Sequence, residues 1–200
     1  MRPGILSALL AGAPAPARVA ESGLSVPWAT AGFVVLALAA TTVPGLEYDR
    51  AAMLRGEIWR PVTGQLLHWS WPMAAADLGV IAVAGTFVER RARRRVVLGL
   101  AAGLLAVAVV VALSPGLLRY RGSSGVATAL VTLALTDERL PAGLALSGLL
   151  LLLAKTAIEG TTGQPLLPGT LPHGVALTTS AHVAGLLAGL AVGLTVRLRA

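Results

Sequence analysis

The chain contains no cysteine. This excludes a disulfide framework, a thiolate metal site and a cysteine nucleophile. Charge is also scarce: Asp, Glu, Lys and Arg together make up 12% of the 200 residues, about half the usual share of a soluble domain. Hydrophobic residues account for 56% and the mean hydropathy is +0.78. A chain with so few solvated groups is expected to fold in lipid. At roughly 20 apolar residues per span it has room for about five to seven spans, so one bundle consumes it and no second domain fits.

The charge that is present is clustered. A net charge of +7 could mean nucleic acid or anionic lipid in a soluble protein, but here Arg90, Arg91, Arg93, Arg94 and Arg95 share one short stretch and Arg197 and Arg199 end the chain. Arginine clusters beside apolar spans mark the cytoplasmic side of a membrane protein, and no nucleic-acid partner is expected. Residues 1–26 carry a short apolar run and a Pro-Ala stretch that faintly resemble a signal peptide. Cleavage there would turn the five-arginine stretch outward, so this segment is read as a cytoplasmic N-terminal tail and 27–200 as the membrane domain.

Six apolar segments follow, at about 27–43, 72–88, 96–113, 124–135, 142–158 and 178–196. The expected fold class is all-α, a polytopic bundle of six transmembrane helices with both termini cytoplasmic. The connection at 46–69 is too long and too amphipathic for a simple turn, and Trp59, Trp69 and Trp71 suggest that part of it lies in the headgroup layer. Ser70-Trp71-Pro72 has the form of a helix start, with a serine cap and a proline in the first turn.

With this topology the second, fourth and sixth spans all begin on the outer face. Ser124, within Gly122-Ser123-Ser124-Gly125, opens the fourth; His182 lies one turn into the sixth; Asp77 lies one to two turns into the second. Three helices thus bring polar residues to one depth. A serine hydroxyl becomes a competent nucleophile when a base takes its proton, and histidine is the usual base at neutral pH. A polar residue at membrane depth suggests function, although Gly122 to Gly125 also reads as a glycine-serine turn and His182 as a partner for a backbone carbonyl. Ala181, Gly185, Gly189 and Gly193 form a small-residue face that lets another helix approach closely, with Gly125 and Ala129 as its counterpart. Lys155 and Glu159, four apart, read as a fold-stabilising pair, and His173 as an ordinary loop residue.

Gly122-Ser123-Ser124-Gly125, followed in the last span by Ala181-His182-Val183-Ala184-Gly185 and Gly189, resembles the two signatures of rhomboid intramembrane serine proteases, and Trp59-Arg60 resembles that family's tryptophan-arginine pair. The resemblance runs from about Gly56 to Val196. Lys155 to Gly160 and the Gly/Pro loop after them look further like the rhombosortase branch. The resemblance implies a Ser124–His182 dyad without an acid partner and without cofactor or metal. It implies an oxyanion met by the Ser124 backbone N–H. The family's usual histidine and asparagine donors in span two fall, by register, on Met73 and Asp77; Asp77 could donate if protonated, and His68 could substitute. Thr128 stands where an aromatic residue often packs on the histidine. The implied substrates are membrane-anchored proteins with a transmembrane helix, in the rhombosortase branch exported proteins ending in a glycine-rich motif, a hydrophobic helix and a basic tail. The implied location is a bacterial inner membrane, the site facing the periplasmic or outer side. A second reading is an inactive rhomboid-like protein that binds or sorts transmembrane segments.

Overall fold

A computed structural model of the chain describes residues 26–166 and 178–197. The expectations for the N-terminal tail up to residue 25 and for His173 lie outside the described residues.

Among the described residues the chain is mostly helical: α1 (Trp28–Ala40), β1 (Tyr48–Asp49), α2 (Arg50–Leu54), α3 (Arg60–Thr63), a 3-10 turn (Gly64–Leu66), α4 (Trp71–Glu89), α5 (Arg93–Leu113), β2 (Arg119–Tyr120), α6 (Ser124–Leu135), α7 (Ala142–Thr162) and α8 (Thr179–Arg197). Three of these helices, α4, α5 and α7, are long and apolar enough to cross a membrane. The remaining apolar helices are α1, α6 and the Thr179–Thr195 part of α8, and they are shorter. The 12 residues of α6 rise about 18 Å, against about 30 Å of hydrocarbon. Each of the six apolar segments of the sequence corresponds to one helix, and three of the six reach spanning length.

Local chemistry accounts for the boundaries. Ser70 caps α4 by accepting the Met73 N–H at 3.4 Å, with Pro72 in the first turn. α1 stops at Ala40, short of the expected 43. The Thr41 and Thr42 hydroxyls donate to the carbonyls of Leu38 and Ala39 at 2.6 and 2.8 Å, groups that a continuing helix would use. α5 starts at Arg93, before the apolar run, because arginine can lie along a helix and still reach polar surroundings. α7 runs on to Thr162 and ends at Gly163, whose φ of +66° is left-handed and whose N–H returns to the Glu159 carbonyl at 2.9 Å.

α6 is the enclosed helix, with Val126, Ala129, Leu130, Thr132 and Leu133 fully buried among α4, α5 and α8. Lipid tails are as apolar as leucine, so helices in a bilayer associate through close packing more than through the hydrophobic effect. Here the packing is backbone on backbone. A Cβ added to Gly185 would overlap the Gly125 carbonyl oxygen, one on Gly189 would overlap the Ala129 carbonyl oxygen, and one on Gly125 would lie 2.8 Å from the Ala181 carbonyl oxygen.

Polar contacts gather at the two ends of the bundle. At the end bearing the arginine cluster, Glu89 receives the Ala29 and Thr30 N–H groups at 2.9 Å each and the Thr30 hydroxyl at 2.8 Å, so the last residue of α4 holds the first turn of α1. Arg91 pairs with Asp137 at 3.2 Å beside it. At the opposite end Tyr48 pairs with Tyr120 and Asp49 with Arg119 in a two-stranded antiparallel ladder. Arg121 bonds Glu47 at 2.6 Å, Arg60 donates to the Glu47 carbonyl at 2.8 Å, and Arg50 donates to the carbonyls of Ala112 and Ser114 at the end of α5 at 3.3 and 3.1 Å. The 46–69 segment is thereby fastened to the strand that leads into α6.

Replacing Gly185 with leucine should push α8 off α6 and lower stability by about 3 kcal/mol, measured as unfolding of the purified protein in detergent. Alanine at Gly79, where an added Cβ meets nothing within 4 Å, should leave stability within about 1 kcal/mol or raise it. Equal losses at the two positions would mean that the α6–α8 approach is not the critical contact.

Candidate active site

Ser124 is the first residue of α6 and His182 the fourth of α8. The glycine-mediated approach of these helices brings the Ser124 Oγ to 2.9 Å from the His182 Nε2. The histidine is 3% exposed. The serine is half-buried and opens onto a cavity of about 200 Å³ that Met73, Asp77, Thr128, Lys155 and Glu159 also line. The first helical bond of α6 runs from the Ala127 N–H to the Ser123 carbonyl at 2.8 Å. The N–H groups ahead of it, Ser124 included, have no partner within the helix and lie at its positive end.

The other face of the imidazole meets an acid. His182 Nδ1 lies 3.1 Å from the Glu159 Oε2 of α7, an ion-pair distance at an angle away from a straight hydrogen bond. The same oxygen holds the Lys155 ammonium at 2.6 Å, and the other carboxylate oxygen receives the Leu166 N–H at 3.0 Å. Glu159 is 1% exposed, and it and Thr156 are the buried residues of α7 among 21 positions. The four-residue spacing to Lys155 foretold the local pair. It gave no sign of the contact with His182, which lies across a loop rich in glycine and proline.

A second polar group adjoins the first. His68 Nε2 is 3.0 Å from the Ser123 Oγ and 3.3 Å from the Asp77 Oδ2, and its side chain is 2% exposed. The adjacent serines therefore face different histidines, as two consecutive helix-start positions about 100° apart can do. Both span-two positions singled out by register, Met73 and Asp77, border the cavity. Asp77 meets His68, and the sequence has no asparagine anywhere. Thr128 turns its hydroxyl back onto the Ser124 carbonyl at 2.8 Å and stacks no ring on His182. Gly125, Gly185 and Gly189 lie at the α6–α8 contact. Trp59 is half-exposed, while Arg60 is tied to Glu47 and to Glu57, the latter at 2.7 Å, and so braces the 46–69 segment.

Nothing in the sequence around Tyr120 marks it as part of the site. It is buried behind the serine turn, and burial, then the nearby Asp77 carboxylate, hold its phenol well above the usual tyrosine range, with the Ser124 hydroxyl working against them. It stays neutral at any physiological pH.

A few polar groups around a mostly apolar cavity, among apolar helices of which three are long enough to cross a membrane, fit an integral membrane protein. A family model described as Rhomboid domain matches residues 55–199, and the chain belongs to the rhomboid family. A search of curated proteins finds no match.

Gly122 adopts a φ of +141°, which L residues rarely accept, while an added Cβ would meet only Asp77 and Ser124 oxygens at 3.8 and 4.0 Å. Gly122→Ala should therefore act through the backbone and not through a clash, costing about 1–3 kcal/mol in unfolding measurements. An unchanged unfolding midpoint would show that the turn ahead of Ser124 relaxes freely.

Proposed function

We propose that this protein is an intramembrane serine protease of the six-span rhomboid type, in which Ser124 is the nucleophile and His182 the general base. The observation that carries this reading is the 2.9 Å contact between the Ser124 Oγ and the His182 Nε2 at the wall of a cavity that α4 and α7, both of membrane-crossing length, also border. In the proposed reaction His182 Nε2 takes the hydroxyl proton as Oγ bonds to the scissile carbonyl carbon. The tetrahedral oxyanion meets the Ser124 backbone N–H at the start of α6, where the helix dipole favours negative charge. Collapse breaks the C–N bond, and the proton on Nε2 passes to the leaving amine. Water then releases the acyl group by the same steps in reverse.

For the side-chain part of the oxyanion site, Asp77 and His68 are the candidates. His68 already faces Ser123 and Asp77 through its Nε2, so a donor from this pair has to come from Asp77 in its protonated form or from a turned His68 ring. The proposed membrane orientation puts both termini and the arginine cluster in the cytoplasm and the site toward the outer face. Support comes from the bundle ends: Glu89 ties the start of α1 to the end of α4 beside the arginines, while Ser124 and His182 open at the other end. Substrates would be membrane-anchored proteins cut near a transmembrane helix. On the rhombosortase-like reading, which rests on Lys155 to Gly160, these are exported proteins with a C-terminal glycine-rich motif, apolar helix and basic tail, and the membrane is a bacterial inner membrane.

Ser124→Ala and His182→Ala should each lower cleavage of a co-expressed reporter bearing such a C-terminus by at least about 100-fold, with the protein still in the membrane fraction. Residual cutting at near wild-type rate by either would end the dyad assignment. A reporter left intact while an unrelated single-span protein is cut would remove the rhombosortase reading alone. Asp77→Asn should keep or raise activity, since an amide donates at every pH; an intact but inactive variant would rule Asp77 out as a donor.

A further inference from the structure

We infer that Glu159 is a positioning residue for His182: its carboxylate keeps the imidazole proton on Nδ1, leaves Nε2 free to accept the Ser124 proton, and stabilises the imidazolium that forms. The inference rests on the protease reading above and adds a third member to the proposed dyad.

Three observations point this way. The first is tautomer selection. The Glu159 carboxylate oxygen 3.1 Å from Nδ1 favours the proton on that nitrogen by charge attraction, which acts at this distance although the contact is not a straight hydrogen bond. The other nitrogen then presents its lone pair, and that nitrogen is the one 2.9 Å from the Ser124 Oγ. The second is burial. A lysine-glutamate pair serving only α7 could lie at the lipid-water boundary, yet the Glu159 side chain is 2% exposed and that of Lys155 25%. Removing a carboxylate from water costs several kcal/mol unless it is fully partnered, and Glu159 has three partners.

The third is that those partners come from separate parts of the chain. Lys155 lies one turn earlier on α7, His182 on α8, and Leu166 in the chain that turns back after Gly163 to place its N–H on Oε1. Lys155 and the Leu166 amide hold the carboxylate in place, so it can hold the ring. The groups against the imidazole are Ser124 from α6 and Glu159 from α7, while Lys155 from α7 and Asp77 from α4 border the same cavity, Asp77 paired with His68. During the reaction the proton moves from the Ser124 Oγ to Nε2 and back out to the leaving amine. The Nδ1 proton remains on the ring and Glu159 remains ionised.

The test uses full-length protein in detergent or proteoliposomes and a fluorophosphonate probe, with both the labelled fraction and the rate constant recorded across pH. Wild type should be labelled and Ser124→Ala should not. Glu159→Gln should be labelled to the same final fraction but about 100-fold more slowly. Its acid limb should move to lower pH, because an amide no longer favours the protonated ring. Glu159→Asp should recover most of the rate. A wild-type rate and unmoved acid limb in Glu159→Gln, with wild type and Ser124→Ala behaving as stated, would overturn the role of Glu159 and leave the protease reading standing. A reduced labelled fraction that reacts at the wild-type rate would also overturn it, since that is the mark of a purely structural pair. Wild type that is neither labelled nor able to cut would overturn both.

Discussion

The site depends on two helix backbones touching. Gly185 and Gly189 on α8 lie against the carbonyls of Gly125 and Ala129 on α6, leaving no space for a Cβ. In lipid there is little hydrophobic gain in bringing two apolar helices together, so contact distance decides whether they pair at all. The same contact sets the reach of the side chains above it. Ser124 stands immediately before Gly125, and His182 three residues before Gly185, so a separation fixed at the glycines is passed on to Oγ and Nε2 within one turn. A larger residue at Gly185 or Gly189 would meet the α6 backbone directly, and one at Gly125 would meet both Val107 of α5 and the Ala181 carbonyl of α8.

Around that seam the polar groups are distributed by need. Three buried ionisable groups have partners from other parts of the chain: Glu89 has the amides of α1, His68 has Ser123 and Asp77, and Glu159 has Lys155, His182 and Leu166. The short ladder between Tyr48 and Tyr120 joins the 46–69 segment to the turn that carries Gly122 and Ser124. Gly64 packs under that ladder, with an added Cβ 2.7 Å from the Tyr48 nitrogen, and its carbonyl accepts the Gly122 N–H at 3.3 Å. The loop that looks peripheral in the sequence thus supports the turn from behind.

Much of this was legible from residue types and spacing. Apolar runs located the helices, Ser70 and Pro72 marked the start of α4, and the alternation of spans put Ser124 and His182 at one depth; their side chains meet at 2.9 Å. The small-residue face of the last span lies against the backbone of Gly125 and Ala129. The contacts that leave no mark in the sequence are long-range ones. Two-residue strands leave no periodicity to detect, so the 48–120 pairing was silent. Glu159 had a sufficient local explanation in Lys155, four residues away, and nothing in the spacing pointed to a histidine 23 positions on. Threonines that end α1 early look, in sequence, like any polar residues near a membrane surface.

α7 is the least enclosed of the long helices, and most of its leucines face outward. Were its attachment made of leucine alone, one azimuth would serve about as well as another, since hydrocarbon outside and hydrocarbon inside are nearly equivalent partners. A single ionised carboxylate breaks that degeneracy. Advancing the helix by one residue turns it about 100° and would carry Glu159 from the imidazole into lipid. The helix is therefore set in rotation by an acid, with its leucines free to meet lipid on the remaining faces.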